Sequence, residues 1–135
     1  MSKLVYTTAL IAVLSVPAFA DTTILRQMPA DSVTVTDWYK QNVYDPNNNK
    51  IGEVMDVLVD KSGKVTSLIV GVGGFLGAGE KDVAVPFEAI RVTSKDSNKW
   101  YLVMNTTKDD LKSAPGFKYD RETTSWVPDG KMGKM

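Results

Sequence analysis

The chain contains no cysteine and no histidine. Without cysteine there are no disulfides, no thiol redox chemistry and no thiolate metal sites. A lipid anchor on an N-terminal cysteine is excluded as well. Without histidine the chain lacks the commonest metal ligand and the commonest general base, so a conventional Ser–His–Asp triad cannot form. An excess charge of one sign is also missing, because 16 Lys and Arg balance 16 Asp and Glu. No basic run supplies the positive footprint of a nucleic-acid binder. Long apolar runs are scarce. The one at residues 4–16 covers 13 positions, whereas a spanning helix needs about 20.

That run nevertheless has a meaning. Lys3 and the α-amine place positive charge before it, and Pro17-Ala18-Phe19-Ala20 ends it with small residues at the positions signal peptidase reads. Pro17 breaks the helix where an anchor would continue. We therefore expect residues 1–20 to be a cleavable signal peptide, with the mature chain starting at Asp21 in a bacterial periplasm. No stable membrane span is expected after cleavage. The remaining 115 residues correspond to one domain, with a net charge near −1 once Lys3 is gone.

Residues 21–34 are polar and aperiodic, a flexible leader with Pro29 and Asp31 as turn formers. From Val33 onward the composition suits strands: Val33, Val35, Trp38, Tyr39, Val43 and Tyr44 are β-branched or aromatic. Asp45-Pro46-Asn47-Asn48-Asn49 is a turn cluster. Residues 50–60 then alternate, with Ile51, Met55, Val57 and Val59 on one face and Val54 and Leu58 on the other. Asp60-Lys61-Ser62-Gly63 turns the chain into a returning strand at 64–72, which makes the best hairpin in the sequence. Further strands are expected at 82–85, 90–93 and 100–104. A single helical turn is expected at Phe87-Glu88-Ala89. A short helix capped by Thr106 or Thr107 should run through Leu111-Lys112, with Asp109 and Asp110 in its first turn. Phe117-Lys118-Tyr119 could form an edge strand, and residues 121–135 read as a flexible tail. Short strands at this spacing indicate a mainly β domain, a small barrel or sandwich.

The most distinctive segment runs from residue 71 to 79, with five glycines, Gly71, Gly73, Gly74, Gly77 and Gly79, around Phe75 and Leu76. The spacing fails the dinucleotide fingerprint and no Gly-Lys-Ser/Thr follows, so phosphate binding is not indicated. Glycine at a barrel corner permits positive φ and close backbone approach; the five glycines are read as hinge and corner architecture. The apolar pair within them suits a recognition tip or an internal plug. Asp60-Lys61-Ser62-Gly63 lacks the acidic positions of a calcium loop and is read as a turn. Glu53 and Asp56 interrupt an apolar strand. Such carboxylates are either hydrogen-bonded or functional. A Ser–Lys pair involving Ser67, Ser94 or Ser113 is arithmetically open, but nothing singles one out. We expect no enzymatic activity, no cofactor and no metal centre.

Taken together, Asn42-Val43-Tyr44-Asp45, Ile51-Gly52-Glu53-Val54-Met55-Asp56-Val57, Asp60 with Gly63-Lys64-Val65, and Val83-Ala84-Val85-Pro86 resemble the PRC-barrel domain over about residues 35–120. That family includes the H subunit of photosynthetic reaction centres and the C-terminal domain of the ribosome maturation factor RimM. The glycine loop and Ala114-Pro115-Gly116-Phe117-Lys118-Tyr119 are similar to exported single-domain members. The resemblance implies a six-stranded, strongly bent β-barrel with one short C-terminal helix. It also implies a binding or assembly role exercised through partners. Neither relative's specific task is expected to carry over, since neither the anchor of the first nor the second domain of the other is expected here. The expected function is therefore that of a periplasmic protein-interaction module. Its partner would be a protein or envelope component, with Phe75, Leu76, Phe117 and Tyr119 as candidate contact residues. The alternatives are a small-ligand or metal-binding barrel using Glu53, Asp56 or Asp82, and a structural protein that forms a homodimer through an edge strand or the loop.

Overall fold

The computed structural model describes residues 11–12, 23–73, 80–95 and 99–130. The chain divides into two compact units, residues 1–32 and 33–135. In the first unit, Ile24, Leu25 and Met28 are exposed. The expected signal peptide lies outside the described residues, apart from Ile11 and Ala12.

The second unit opens with a helix where β-branched residues suggested a strand. Helix α1 (Val35–Trp38) forms because Thr34 caps it, its hydroxyl accepting from the Asp37 N–H at 3.0 Å. Asp37 also lies in the first turn, where the helix dipole favours a negative charge. Capping chemistry thus overrides the strand propensity of Val35 and Trp38. Lys40 then takes a positive φ of 65° and donates its N–H to the Val54 carbonyl at 2.7 Å. This turns the chain into strand β1 (Asn42–Tyr44).

The remaining elements are β2 (Lys50–Val59), β3 (Val65–Val72), β4 (Lys81–Pro86), a 3-10 turn (Phe87–Ala89), β5 (Ile90–Lys95), β6 (Lys99–Met104), α2 (Lys108–Ser113), β7 (Phe117–Asp120) and β8 (Ser125–Pro128). All eight strands belong to one curled sheet in the order β5-β6-β1-β2-β3-β4-β7-β8. Pairing is antiparallel except for β1 with β6. The mainly β class is as expected, but the strand count is eight rather than six. The sheet is an open half-barrel with β5 and β8 at its edges. Part of the expected flexible tail is a strand. Residues 125–128 form β8, held against β7 by the pairs Phe117 with Pro128, Lys118 with Val127, Tyr119 with Trp126 and Asp120 with Ser125.

Aspartates start three of the turns. Asp60 accepts from the Ser62 N–H, the Ser62 hydroxyl and the Lys64 N–H, while Gly63 supplies the positive φ of 89°. The Ser62 hydroxyl, followed by the Lys64 amide, holds the Asp60 carboxyl below its ordinary value. The backbone amide and then the side chain of Asn49 do the same for Asp45, as the Thr123 hydroxyl does for Asp120. The Asp60 segment is therefore a self-satisfied turn.

Strand β2 departs from simple alternation. Ile51 is an extra residue against β1, and Met55 is an extra residue against β3. Each bulge shifts the side-chain phase by one residue and bends the strand. Ile51, Val54 and Val57 therefore face the core together, rather than Ile51 with Met55 and Val59. They pack with Val43, Leu68, Val70, Val72, Val83, Val85, Ile90 and Leu102. Trp38 and Leu111 bring the two helices to the same core, and Phe87 stacks on Trp38 at 5.2 Å. Thr107 caps α2 by accepting from the Asp110 N–H. The α2 end is tied to β4 by Lys81, whose ammonium donates to the carbonyls of Lys112 and Ala114.

Candidate functional site

The core occupies one face of the β2–β3–β4 region. The opposite face is where chemistry collects. Residues paired across neighbouring strands point to the same side, so the row Glu53–Gly71–Asp82–Phe117–Pro128 shares that second face. Ile69 belongs to it too, as the partner of Asp56 and Ala84. It is fully buried yet lies outside the main core cluster.

Its burial goes with a link across the sheet. The Trp126 indole N–H donates to Asp56 Oδ2 at 2.7 Å, and Asp56 Oδ1 accepts the Val57 N–H at 2.8 Å. Strands β3, β4 and β7 separate β2 from β8 in the sheet order. At about 4.8 Å per strand spacing, a flat sheet would hold these residues far apart. The contact exists because the sheet curls until β8 faces β2. Asp56 is therefore a hydrogen-bonded structural carboxylate.

Three carboxylates gather next to this link. A Cβ placed on Gly71 would sit 2.9 Å from Glu80 Oε1 and 3.3 Å from Asp82 Oδ1, so both groups converge above Gly71. A Cβ on Gly116 would sit 2.9 Å from Asp129 Cγ. Asp82 Oδ1 is itself buried and has no hydrogen-bond donor among the described residues. Burial first, then the charges of Glu80 and Asp129, push the Asp82 carboxyl above its ordinary value. Beyond Glu80 lies a cleft of about 250 Å³, bordered by Lys50, Glu53, Gly71, Gly73, Glu80 and Lys108. No group of acidic residues there is arranged to hold a metal ion among the described residues.

The expected contact residues divide into two sets. Phe75, Leu76, Gly74, Gly77 and Gly79 lie outside the described residues. Gly71 and Gly73 flank that segment; Gly71 is needed for close approach, because a side chain there would displace Met55 and Glu80. Nothing lies within 4 Å of a Cβ at Gly73. Phe117 is half-buried at the β4–β7 junction. Tyr119 is 48% exposed and meets Trp126 edge-on, with ring centroids 5.8 Å apart. Phe117, Tyr119, Trp126 and Pro128 thus share one face of the β7–β8 hairpin.

This curled sheet, with its bulged β2–β3 hairpin and its β4 strand ending in Pro86, agrees with what similarity to known proteins finds. A profile of the PRC-barrel domain matches residues 30–111. The chain belongs to the PRC-barrel family. No curated protein matches it. The PRC-barrel match ends inside α2, so the β7–β8 hairpin, with Trp126 and Asp129, lies beyond it. Sequence reasoning weighed Glu53, Asp56 and Asp82 as polar contacts but missed Trp126. The available signal was the alternation of Ser125-Trp126-Val127-Pro128 opposite Phe117-Lys118-Tyr119-Asp120.

Proposed function

We propose that the mature chain is an exported, non-enzymatic PRC-barrel module that binds a protein or envelope component in the periplasm. The observation that supports this reading best is the aromatic face of the β7–β8 hairpin. Tyr119 is half exposed beside Trp126, on the same side as Phe117. Aromatic groups presented at a surface supply large apolar contact area and a polar tip, the combination that recurs in interface anchors. A sequence without histidine or cysteine lacks the commonest general base and the thiol nucleophile, which also favours binding over catalysis.

The test is site-specific photo-crosslinking from position 119 in the exported protein, followed by identification of adducts from envelope extracts. A reproducible adduct, competed away by excess unlabelled wild-type protein but not by a Tyr119→Ala competitor with an unchanged thermal melt, supports the reading. No reproducible adduct from position 119 or 117 overturns it. Export is checked separately by the mass of the mature protein, expected to begin at Asp21; an intact N-terminus refutes export.

The cleft beside Gly71 favours a second reading, a small-ligand site flanked by Lys50, Lys108, Glu53 and Glu80. Native mass spectrometry of freshly purified protein would reveal a retained mass. Clean apo protein, with an unshifted melt across a metal and metabolite panel, would remove this reading.

A further inference from the structure

The β7–β8 hairpin is thinly attached. Among the described residues, β3 and β4 share six register pairs, whereas β4 and β7 share one, Asp82 with Phe117. A second anchor is the Trp126–Asp56 hydrogen bond. The single β4–β7 pair is also where like charges meet. Asp82 is one half of it, Glu80 lies two residues before Asp82, and Asp129 lies over Gly116, next to Phe117.

We propose that the β7–β8 hairpin is a pH-set flap, clamped onto the second face of the sheet when Asp82 is protonated and loosened when Glu80, Asp82 and Asp129 are all charged.

The groups that face Asp82 support this. From β3 comes Gly71, which has no side chain to interpose. From β2 comes Glu53, in the same row and ion-paired to Lys50 at 4.0 Å. Lys50 and the α2 residue Lys108 line the same cleft as Glu80 and Glu53. β7 contributes Phe117, which is apolar, while Lys118 points to the strand's other face. Lys81, on β4 itself, is turned away toward the carbonyls of Lys112 and Ala114. The segment after β8 contributes Asp129, whose N–H bonds the Gly116 carbonyl at 3.0 Å. Burial of Asp82 disfavours its charged form, and both neighbouring carboxylates add to that cost.

The sign follows from linkage. A carboxyl whose proton is held more tightly in the closed state favours closure at low pH. That contribution is lost as pH rises from the ordinary carboxylate value of 3.8 through the raised value of the closed state. An open hairpin would expose Ile69 and free the Trp126 indole, so the flap would control access to a buried apolar surface. This holds whether or not a partner binds the hairpin.

Hydrogen exchange tests it on the intact mature protein, between pH about 4 and about 7, corrected for intrinsic exchange rates. The expected result is that protection at the Phe117 amide, which turns outward to β4, and at the Trp126 indole N–H, which reaches Asp56, rises on acidification while Leu68 and Val70 in β3 stay level. In Asp82→Asn the hairpin should remain protected across the range, with the slope lost. Asp129→Asn should flatten the slope in part. Equal slopes in the wild type and Asp82→Asn overturn the proposal. A flat wild-type profile overturns it, as do β3 amides that track the hairpin, because the change would then be global unfolding.

Discussion

Replacing Trp126 with phenylalanine should open the curl of the sheet at one bond. The indole N–H reaches a carboxylate oxygen of Asp56 at 2.7 Å. Hydrogen bonds to charged groups contribute about 1.5–3 kcal/mol. Asp56 is only half-buried and keeps the Val57 amide as a second donor, so water and that amide offset part of the loss. Phenylalanine retains most of the ring and can keep an edge contact to Tyr119. The loss should therefore fall near the lower limit, about 1.5 kcal/mol. For a domain of about 100 residues this lowers Tm by roughly 6–12 °C. Urea unfolding of the wild type, Trp126→Phe, Asp56→Ala and the double variant isolates the pairwise term. The Val57 amide bond is lost in both arms that carry Asp56→Ala, so it cancels. A coupling of about 1 kcal/mol or more is expected, since residues in contact couple by about 0.5–3 kcal/mol. Coupling below about 0.3 kcal/mol, the scatter of independent sites, would refute closure of the half-barrel through this contact.

Gly52→Ala places a Cβ 2.5 Å from Val70 Cγ1 and 2.9 Å from the Gly71 carbonyl oxygen. Because one obstacle is backbone, the loss should approach the upper end of the overpacking range of about 1–3 kcal/mol; an unchanged thermal melt would sink this account. Ile69→Ala should cost about 2–5 kcal/mol although Ile69 lies outside the main core cluster, and a loss under about 1 kcal/mol, well below that range, would mean that the second face is open to water. Thr107→Ala should cost about 1 kcal/mol and Thr107→Ser much less, read by urea unfolding; equal losses would show that the hydroxyl is not the working cap of α2.

Much of the fold can be read from local chemistry. Asp60, Ser62 and Gly63 dictate their turn within five residues, and Thr107 dictates the start of α2. Alternation locates β2 and β3. What alternation cannot locate is where it fails. The two bulges in β2 arise from how β2 meets a different neighbour on each side, so Met55 reads as a core residue although the core phase passes to Val54 and Val57. Helix α1 escaped because strand-forming residues carry it and the deciding signal is one hydroxyl, on Thr34. β8 escaped because the Gly, Lys and Met residues after Pro128 dominate the composition of that segment. At the candidate site, Phe117 and Tyr119 were visible as aromatics near the end of the barrel. The Trp126–Asp56 pair was not, since the two are 70 residues apart and only the curl of the sheet brings them together.

The edges of the sheet bear on how such a protein could bind anything. In the β7–β8 hairpin the Asp129 N–H bonds the Gly116 carbonyl. Antiparallel pairing alternates between bonded and non-bonded pairs, so Val127 and Ser125 turn their amides inward to β7. Trp126 and Pro128 then hold the outward positions. Pro128 has no N–H, which leaves the Trp126 amide as the one outward donor across Ser125–Pro128. A strand added there would find too few donors to form a ladder. At the opposite edge β5 presents exposed Arg91, a charge of the kind that blunts edge pairing in natural sheets. Strand addition is thus disfavoured at both edges, for a partner and for a second copy alike. Any recognition by this domain would then fall to side chains on a face, such as Tyr119 on the β7–β8 hairpin or Tyr39 at the end of α1, both exposed.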